Sequence, residues 1–308
     1  MPRRGYADTA EGQVFYVEDG EGEPLILLHQ SPRSSSMYLP LLPLLAPHCR
    51  AIAVDLLGFG DSAPVPVHDG RADVVDVARN VVGVLDALGI ERAHVFGFHT
   101  GAHMAAQVAA NWPERVGSLI VVGLGFREDR REVASAFEAI ARHGGVPRSS
   151  FDGSHVVSLW MRAYSDVQRN WLHTRNPPLD PDAPELLRAP APYRPMYTLL
   201  TPAELRFIER GLIDALREKE SNGHLAYEAM VNVDMKELLP RVRVPTLHAD
   251  PDSPYESPFC RRGARIATLI PDCEVTTIAG ADDNACELTP ERVAEVIIEF
   301  LGRHPLAA

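Results

Sequence analysis

Residues His94-Val95-Phe96-Gly97-Phe98-His99-Thr100-Gly101-Ala102-His103-Met104-Ala105-Ala106 decide how this chain reads. An apolar run ends in Gly97-x-His99-x-Gly101 and passes into small residues at helical spacing. That is the pattern of a nucleophile elbow, where a strand feeds a sharp, strained turn and then a helix. Glycines flank the centre because such a turn leaves no room for a Cβ beside it. The central residue of the usual pattern is a serine. Here it is His99.

The flanking sequence supplies the rest of an α/β alternation. Gly12–Asp19 alternates as an edge strand does. Pro24–His29, Arg50–Asp55 and Val116–Val122 are continuous apolar runs, expected of strands buried on both faces. Ser34–Pro47 has the length of an amphipathic helix, and Asp73–Leu88 carries apolar residues at helical spacing before Gly89. The alternation resumes late in the chain with Val244–Ala249 and Cys273–Ile278 as strands and Ser257–Leu269 and Thr289–Phe300 as helices. Between them, residues 126–235 lack any buried-strand run. Arg127–His143, Ser154–Trp171 and Thr201–Glu220 read as helices, with a proline-rich connector over Pro177–Pro195 and a capping box at Thr201/Glu204. The expected organisation is a mostly parallel sheet covered by helices on both faces, with residues 1–125 and 236–308 as the core and 126–235 as an inserted helical cap.

Composition narrows the partners. A formal charge of −12 argues against nucleic acid and anionic membrane surfaces, which require basic faces. No apolar run approaches the ~20 residues of a membrane span, and no apolar h-region follows Met1-Pro2-Arg3-Arg4-Gly5. Cys49, Cys260, Cys273 and Cys286 show neither C-x-x-C spacing nor disulfide density, so free thiols and a cytoplasmic location are expected. A small-molecule substrate is the expected partner, with a homodimer left open.

Four motifs in order resemble the α/β-hydrolase superfamily, in its cap-bearing branch. His29-Gln30-Ser31-Pro32 stands where that family has His-Gly-x-Pro. Asp55-x-x-Gly58-x-Gly60-x-Ser62 matches a family loop, Gly97-x-His99-x-Gly101 sits at the elbow, and Ala249-Asp250-Pro251-Asp252 follows Val244-Pro245-Thr246-Leu247. The resemblance implies an oxyanion hole from the backbone N–H groups of Thr100 and Ser31, with Gln30 replacing a glycine. It implies Asp252 at the acid position and His29 as a brace for the oxyanion loop. The loop expected to supply the catalytic histidine reads Ile278-Ala279-Gly280-Ala281-Asp282-Asp283-Asn284-Ala285-Cys286-Glu287, so the histidine position falls on Asp282 or Asp283. The resemblance is to an atypical member, with histidine in place of the elbow serine and a carboxylate in place of the histidine. A Ser–His–Asp triad cannot be assembled at these positions.

The two replacements suggest an exchanged pair: His99 as general base, oriented by Asp282 or Asp283 with Asp252 behind it, and an oxyanion held at Ser31 and Thr100. The reaction expected is hydrolysis or a lyase step on a small carbonyl or ester-like molecule, without a cofactor or metal. One alternative is a non-catalytic binding protein on the same scaffold. Another is a metal-dependent enzyme using His99 and the aspartates, with His103 at i+4 giving zinc-type spacing but expected to point into the helix–sheet packing. Trp160 and Tyr164, with His155, His173, Tyr197 and Tyr227, are candidate pocket residues of the insertion. Cys286 and His248 read as structural.

Overall fold

In the computed structural model, residues 2–128, 132, 151–174, 200–220, 222–253, 256 and 258–306 are described. Among them an eight-stranded sheet runs in the order β1-β2-β4-β3-β5-β6-β7-β8. The strands are β1 (Arg3–Thr9), β2 (Gly12–Asp19), β3 (Pro24–Leu28), β4 (Arg50–Val54), β5 (Ala93–Phe98), β6 (Val116–Val122), β7 (Thr246–Pro251) and β8 (Cys273–Ile278). The β1/β2 and β2/β4 pairings are antiparallel; every other pairing is parallel.

Strand periodicity divides the core into two layers. Side chains alternate across a strand. Accordingly Ile26, Leu28, Val95, Leu119 and Val121 pack in one apolar cluster with the helices Val74–Ala87 and Thr100–Asn111. Leu25, Leu27, Phe96, Phe98, Ile120 and Val122 pack in the other, against Leu42–Leu45 and the helix Pro290–Arg303. The continuous apolar runs of the sequence thus report strands covered on both faces.

Local sequence explains most element boundaries. Asp73 accepts a 2.7 Å hydrogen bond from the Val75 N–H and starts the helix Val74–Ala87. Pro290 occupies the first turn of the last helix, where a missing N–H costs nothing. Thr289 makes no side-chain cap there. The expected helix over Ser34–Pro47 is instead a 3₁₀ turn, Ser35–Tyr38, and a single helical turn, Leu42–Leu45. Pro40, Pro43 and Pro47 break it, since proline lacks the N–H and clashes with the preceding turn. The expected helix over Ser257–Leu269 also divides, into a 3₁₀ turn, Pro258–Cys260, and a helix, Gly263–Ala267. The Asp250 carboxylate accepts from the Gly263 N–H at 3.0 and 3.2 Å and fixes the later start. β1 escaped the sequence reading because only Ala7 is buried in it, so an edge strand left no apolar signal.

The chain divides into two compact units, Met1–Val146 with Asp214–Ala308, and Pro147–Ile213. The smaller unit contains the helix Ser154–Thr174 and the start of the helix Pro202–Glu220. At that start Thr201 Oγ1 accepts from the Glu204 N–H, and Glu204 Oε2 accepts from the Thr201 N–H at 2.6 Å, a closed capping box. Of the insertion expected over 126–235, residues 147–213 form the smaller unit. Most of the expected helix Arg127–His143, the connector Pro177–Pro195 and Tyr197 lie outside the described residues, as does the side chain of His173. Trp160, Tyr164 and His155 lie on the helix Ser154–Thr174, with Tyr164 buried; Tyr227 is in the sheet-bearing unit. No described helix is long and apolar enough to cross a membrane.

Candidate active site

The carboxyl ends of the parallel strands, where open α/β sheets place their ligands, converge on His99. His99 follows β5 with φ 48° and ψ −106°, a conformation costing about 1–3 kcal/mol for a residue with a Cβ. The surrounding backbone dictates it. A Cβ on Gly97 would overlap the Gly101 carbonyl, and one on Gly101 would overlap the Leu28 carbonyl. The His99 N–H donates to the Val122 carbonyl at 2.9 Å, and the His99 carbonyl accepts from the Ala102 N–H at 3.0 Å. Gly123, at φ +63°, makes room for the ring: a Cβ there would lie 2.7 Å from His99 Nε2.

The carboxylate that meets the imidazole is Glu256. Its Oε2 lies 3.1 Å from His99 Nε2, with the Glu256 side chain 3% exposed and His99 15% exposed. The approach is close but poorly aligned for a linear N–H···O bond, so it is an ion pair first. On the other side of the ring, Cys260 Sγ lies 3.7 Å from His99 Nδ1. Burial pushes the imidazole pKa down, but Glu256 and then Cys260 together outweigh it and hold the group well above its ordinary value. The pairing therefore favours the protonated, imidazolium form of His99.

The loop after β7 positions both partners. The Ser253 N–H donates to the Ala281 carbonyl and the Glu256 N–H to the Ser253 carbonyl, at 2.9 and 3.0 Å. Cys260 closes the 3₁₀ turn Pro258–Cys260, which is tied to the end of β6 by the Phe126 N–H donating to the Phe259 carbonyl at 2.9 Å. The guanidinium groups of Arg127 and Arg262 lie over the Phe259 ring. Among the described residues, His99, Glu256 and Cys260 are also the one group whose ligand-type atoms cluster, within 4.8 Å of one another. Neither the aspartates nor His103 belong to it.

The aspartates expected opposite His99 have other partners. Asp252 is exposed and accepts from the Gly280 N–H, tying the acid loop to the last loop. Asp282 Oδ1 accepts from the Asn284 N–H at 2.9 Å, a local turn, and Asp283 Oδ1 accepts from the Asn284 amide at 2.8 Å. Gln30 donates through Nε2 to the Asp283 carbonyl at 2.5 Å, so it bridges the oxyanion loop to the last loop. Thr100 opens the helix Thr100–Asn111, whose first-turn N–H groups have no intrahelical acceptor. Its hydroxyl accepts from the Ser31 N–H at 3.2 Å. A substrate oxygen reaching Ser31 must displace that hydroxyl.

His29 braces the oxyanion loop. It is fully buried, its Nδ1 lies 3.0 Å from the Gln30 carbonyl, and its Nε2 accepts from the Leu56 N–H at 2.9 Å. That pattern fixes a neutral ring with its proton on Nδ1. Burial lowers its pKa to about 4. Burial likewise takes His248 to about 4 and, with Arg127 and His99 nearby, His103 to about 3. Burial pushes the Cys286 thiol well above its ordinary value, as expected of inert packing.

The three neutral histidines give a stability prediction. Each protonates near 6.5 in the unfolded chain, so that state binds more protons below this pH. Stability therefore falls as pH drops from about 6.5 toward 4, by on the order of 2 kcal/mol per imidazole. Burial raises Asp55 to about 6, which works in the opposite direction and offsets part of the loss. Urea unfolding at about pH 7 and pH 4.5 should show a clearly lower midpoint in acid. An unchanged midpoint would contradict this assignment.

Comparison with known proteins agrees with this architecture. Residues 23–145 match the family model described as the alpha/beta hydrolase fold. The chain has the α/β-hydrolase fold. It is 39% identical over 129 residues to a 2-hydroxy-6-oxononadienedioate/2-hydroxy-6-oxononatrienedioate hydrolase of Paraburkholderia phymatum, covering 39% of this chain and 44% of that protein. A Pseudomonas putida protein of the same description is 37% identical over 170 residues, 53% of this chain and 59% of its own length. The chain thus spans about half the length of these curated relatives. Among solved structures, a meta-cleavage product hydrolase from Pseudomonas fluorescens superposes with a TM-score of 0.66 at 19% identity, over 97% of each chain. An enol-lactonase from Burkholderia xenovorans superposes equally well, at 19% identity over 97% of this chain and 100% of that one. These two likenesses show the fold alone. The family-model match ends before Glu256 and Cys260.

Proposed function

We propose that this protein is an enzyme of the α/β-hydrolase superfamily acting on a small carbonyl- or ester-bearing organic molecule, by hydrolysis or a lyase step, with His99 as the proton-transferring group and Glu256 as its carboxylate partner. The observation that carries this is the 3.1 Å contact between an imidazole held at a strained elbow and a buried carboxylate. Strain of that kind persists where the surroundings over-determine it, and such positions concentrate at functional sites. Glu256 takes the role that the sequence assigned to Asp252, Asp282 or Asp283. The Thr100 N–H, joined by Ser31 when the Thr100 hydroxyl yields, would receive the developing oxyanion.

The proton inventory sets the direction of the chemistry. As an imidazolium, His99 donates a proton to a leaving group; as the neutral ring formed at higher pH, it accepts one from water or substrate. A base-limited rate therefore climbs as pH rises above neutrality. The names of the relatives, which denote 2-hydroxy-6-oxo dienoates, support a small carbonyl-bearing substrate. A cytoplasmic location and action without a cofactor or metal belong to the same proposal.

One observation favours a second reading, a binding protein without turnover. Both ring nitrogens of His99 have protein neighbours, and the Ser31 N–H is already satisfied. A panel of aryl esters, lactones and carbon–carbon-cleavage substrates, with calorimetry alongside, separates the two. Turnover above background supports the enzyme, and binding without turnover supports the second reading.

A further inference from the structure

His99 lies between two different groups, and the two contacts use different nitrogens. Nε2 faces Glu256 at 3.1 Å, while Nδ1 faces Cys260 Sγ at 3.7 Å. A metal ion would engage one of those nitrogens and leave the other outside its shell. A nucleophile, a base and an orienting acid require both, in this arrangement. Cys260 and His99 are partly exposed whereas Glu256 is buried, so the thiol and the ring are the members of the set that a substrate can reach. A partly exposed sulfur 3.7 Å from a ring nitrogen is placed for proton transfer between the two as the sulfur attacks a substrate.

We infer that Cys260, His99 and Glu256 form a catalytic triad in which Cys260 is the nucleophile, delivered by the loop after β7 rather than by the elbow. This rests on the reading of His99 as the proton-transferring group and deepens it. In the first step the Cys260 thiolate attacks an ester carbonyl carbon. A C–S bond forms and the carbonyl pair moves to oxygen. Collapse of the adduct breaks the bond to the leaving alkoxide, which takes the Nδ1 proton of His99, and a thioester stays on Cys260. Water then attacks the thioester and gives its proton to the neutral His99. Collapse releases the carboxylic acid and restores the thiolate–imidazolium pair. The sum is ester plus water giving acid plus alcohol. Glu256 acts through the ring throughout, as a positioning residue.

The first test needs no substrate. Carboxamidomethylation of Cys260 by iodoacetamide at about pH 6.5, mapped by peptide mass, is compared between the wild type and His99→Gln. The wild type should react at least about tenfold faster, since thiolate is the reactive form. Equal rates overturn the triad while leaving the His99–Glu256 reading intact. The second test uses 4-nitrophenyl acetate with Cys260→Ala and His99→Ala, each checked for an unchanged melting curve. Acetylation at Cys260 in acid-quenched wild type, with turnover lost at least about a hundredfold in Cys260→Ala, supports the proposal. Cys260→Ala retaining turnover that His99→Ala has lost overturns the nucleophile alone. Both variants matching the wild type removes the nucleophile and the proton-transfer reading together. Stoichiometric zinc in the purified protein, lost in Cys260→Ala, would replace the triad by a metal centre.

Discussion

His99→Ala is expected to lower turnover of a carbonyl substrate by about 10²–10⁴-fold, the usual worth of a positioned acid–base group. The effect should fall mainly on kcat, because a proton-transfer group acts in the transition state more than in binding. The variant also leaves Glu256 without the imidazolium it faces across 3.1 Å, so some stability is lost as well. The double variant His99→Ala/Glu256→Gln separates these consequences. Replacing that carboxylate by the neutral amide removes the charge that faced the imidazolium and should restore part of the thermal stability and none of the turnover. Steady-state kinetics and melting curves on the three proteins check both halves. Recovery of turnover in the double variant would mean that His99 acts only by holding the fold.

Gly101→Ala should unfold the protein or cost more than about 4 kcal/mol. The added Cβ would overlap the carbonyl oxygen of Leu28 and lie 2.8 Å from that of His29. Both belong to backbone, at the end of β3 in the middle of the sheet, and neither can move without breaking pairings to β4 and β5. Gly302→Ala is the matched control. It lies in the helix Pro290–Arg303 with nothing within 4 Å of the added methyl, so it should gain about 0.5–1 kcal/mol from reduced chain freedom. Urea midpoints of the two variants should move in opposite directions. A Gly101→Ala protein with a wild-type midpoint would contradict the close packing assigned to the elbow.

The fold was legible because it rests on local signals. The apolar runs of β3 to β6 report a sheet covered on both faces. The glycine pair around His99 reports a turn with no room for Cβ, and both appear in the structure as read. β1 was not legible, since its pairing with β2 depends on backbone contacts that side-chain pattern does not record. The site was half legible for the same reason. His99 and the oxyanion-loop residues lie in motifs. Glu256 and Cys260 lie past the end of β7, Cys260 in the segment Ser257–Leu269 that reads as one helix and Glu256 just before it. The Asp250 cap at Gly263 divides that segment and leaves a 3₁₀ turn to carry Cys260 toward the ring. Nothing in residue spacing marks that division except the carboxylate itself, thirteen positions before the residue it caps. Gly123 was equally silent, although Gly123-Leu124-Gly125 after an apolar strand signals a close backbone approach.

The central claim is that His99 and Glu256 form one ionic unit, and ring-nitrogen NMR of His99 across a pH titration measures it most directly. In the wild type His99 should remain an imidazolium well above pH ~6.5, because the carboxylate and the sulfur outweigh burial. The raised value also adds stability that is fully present below about pH 6.5 and is lost as pH rises through the folded-state value. In Glu256→Gln the strongest opposing charge is gone, burial gains weight, and the titration should move down toward or below the ordinary histidine range. A wild-type His99 titrating near 6.5, unmoved by Glu256→Gln, would contradict the pairing on which the proposed chemistry stands.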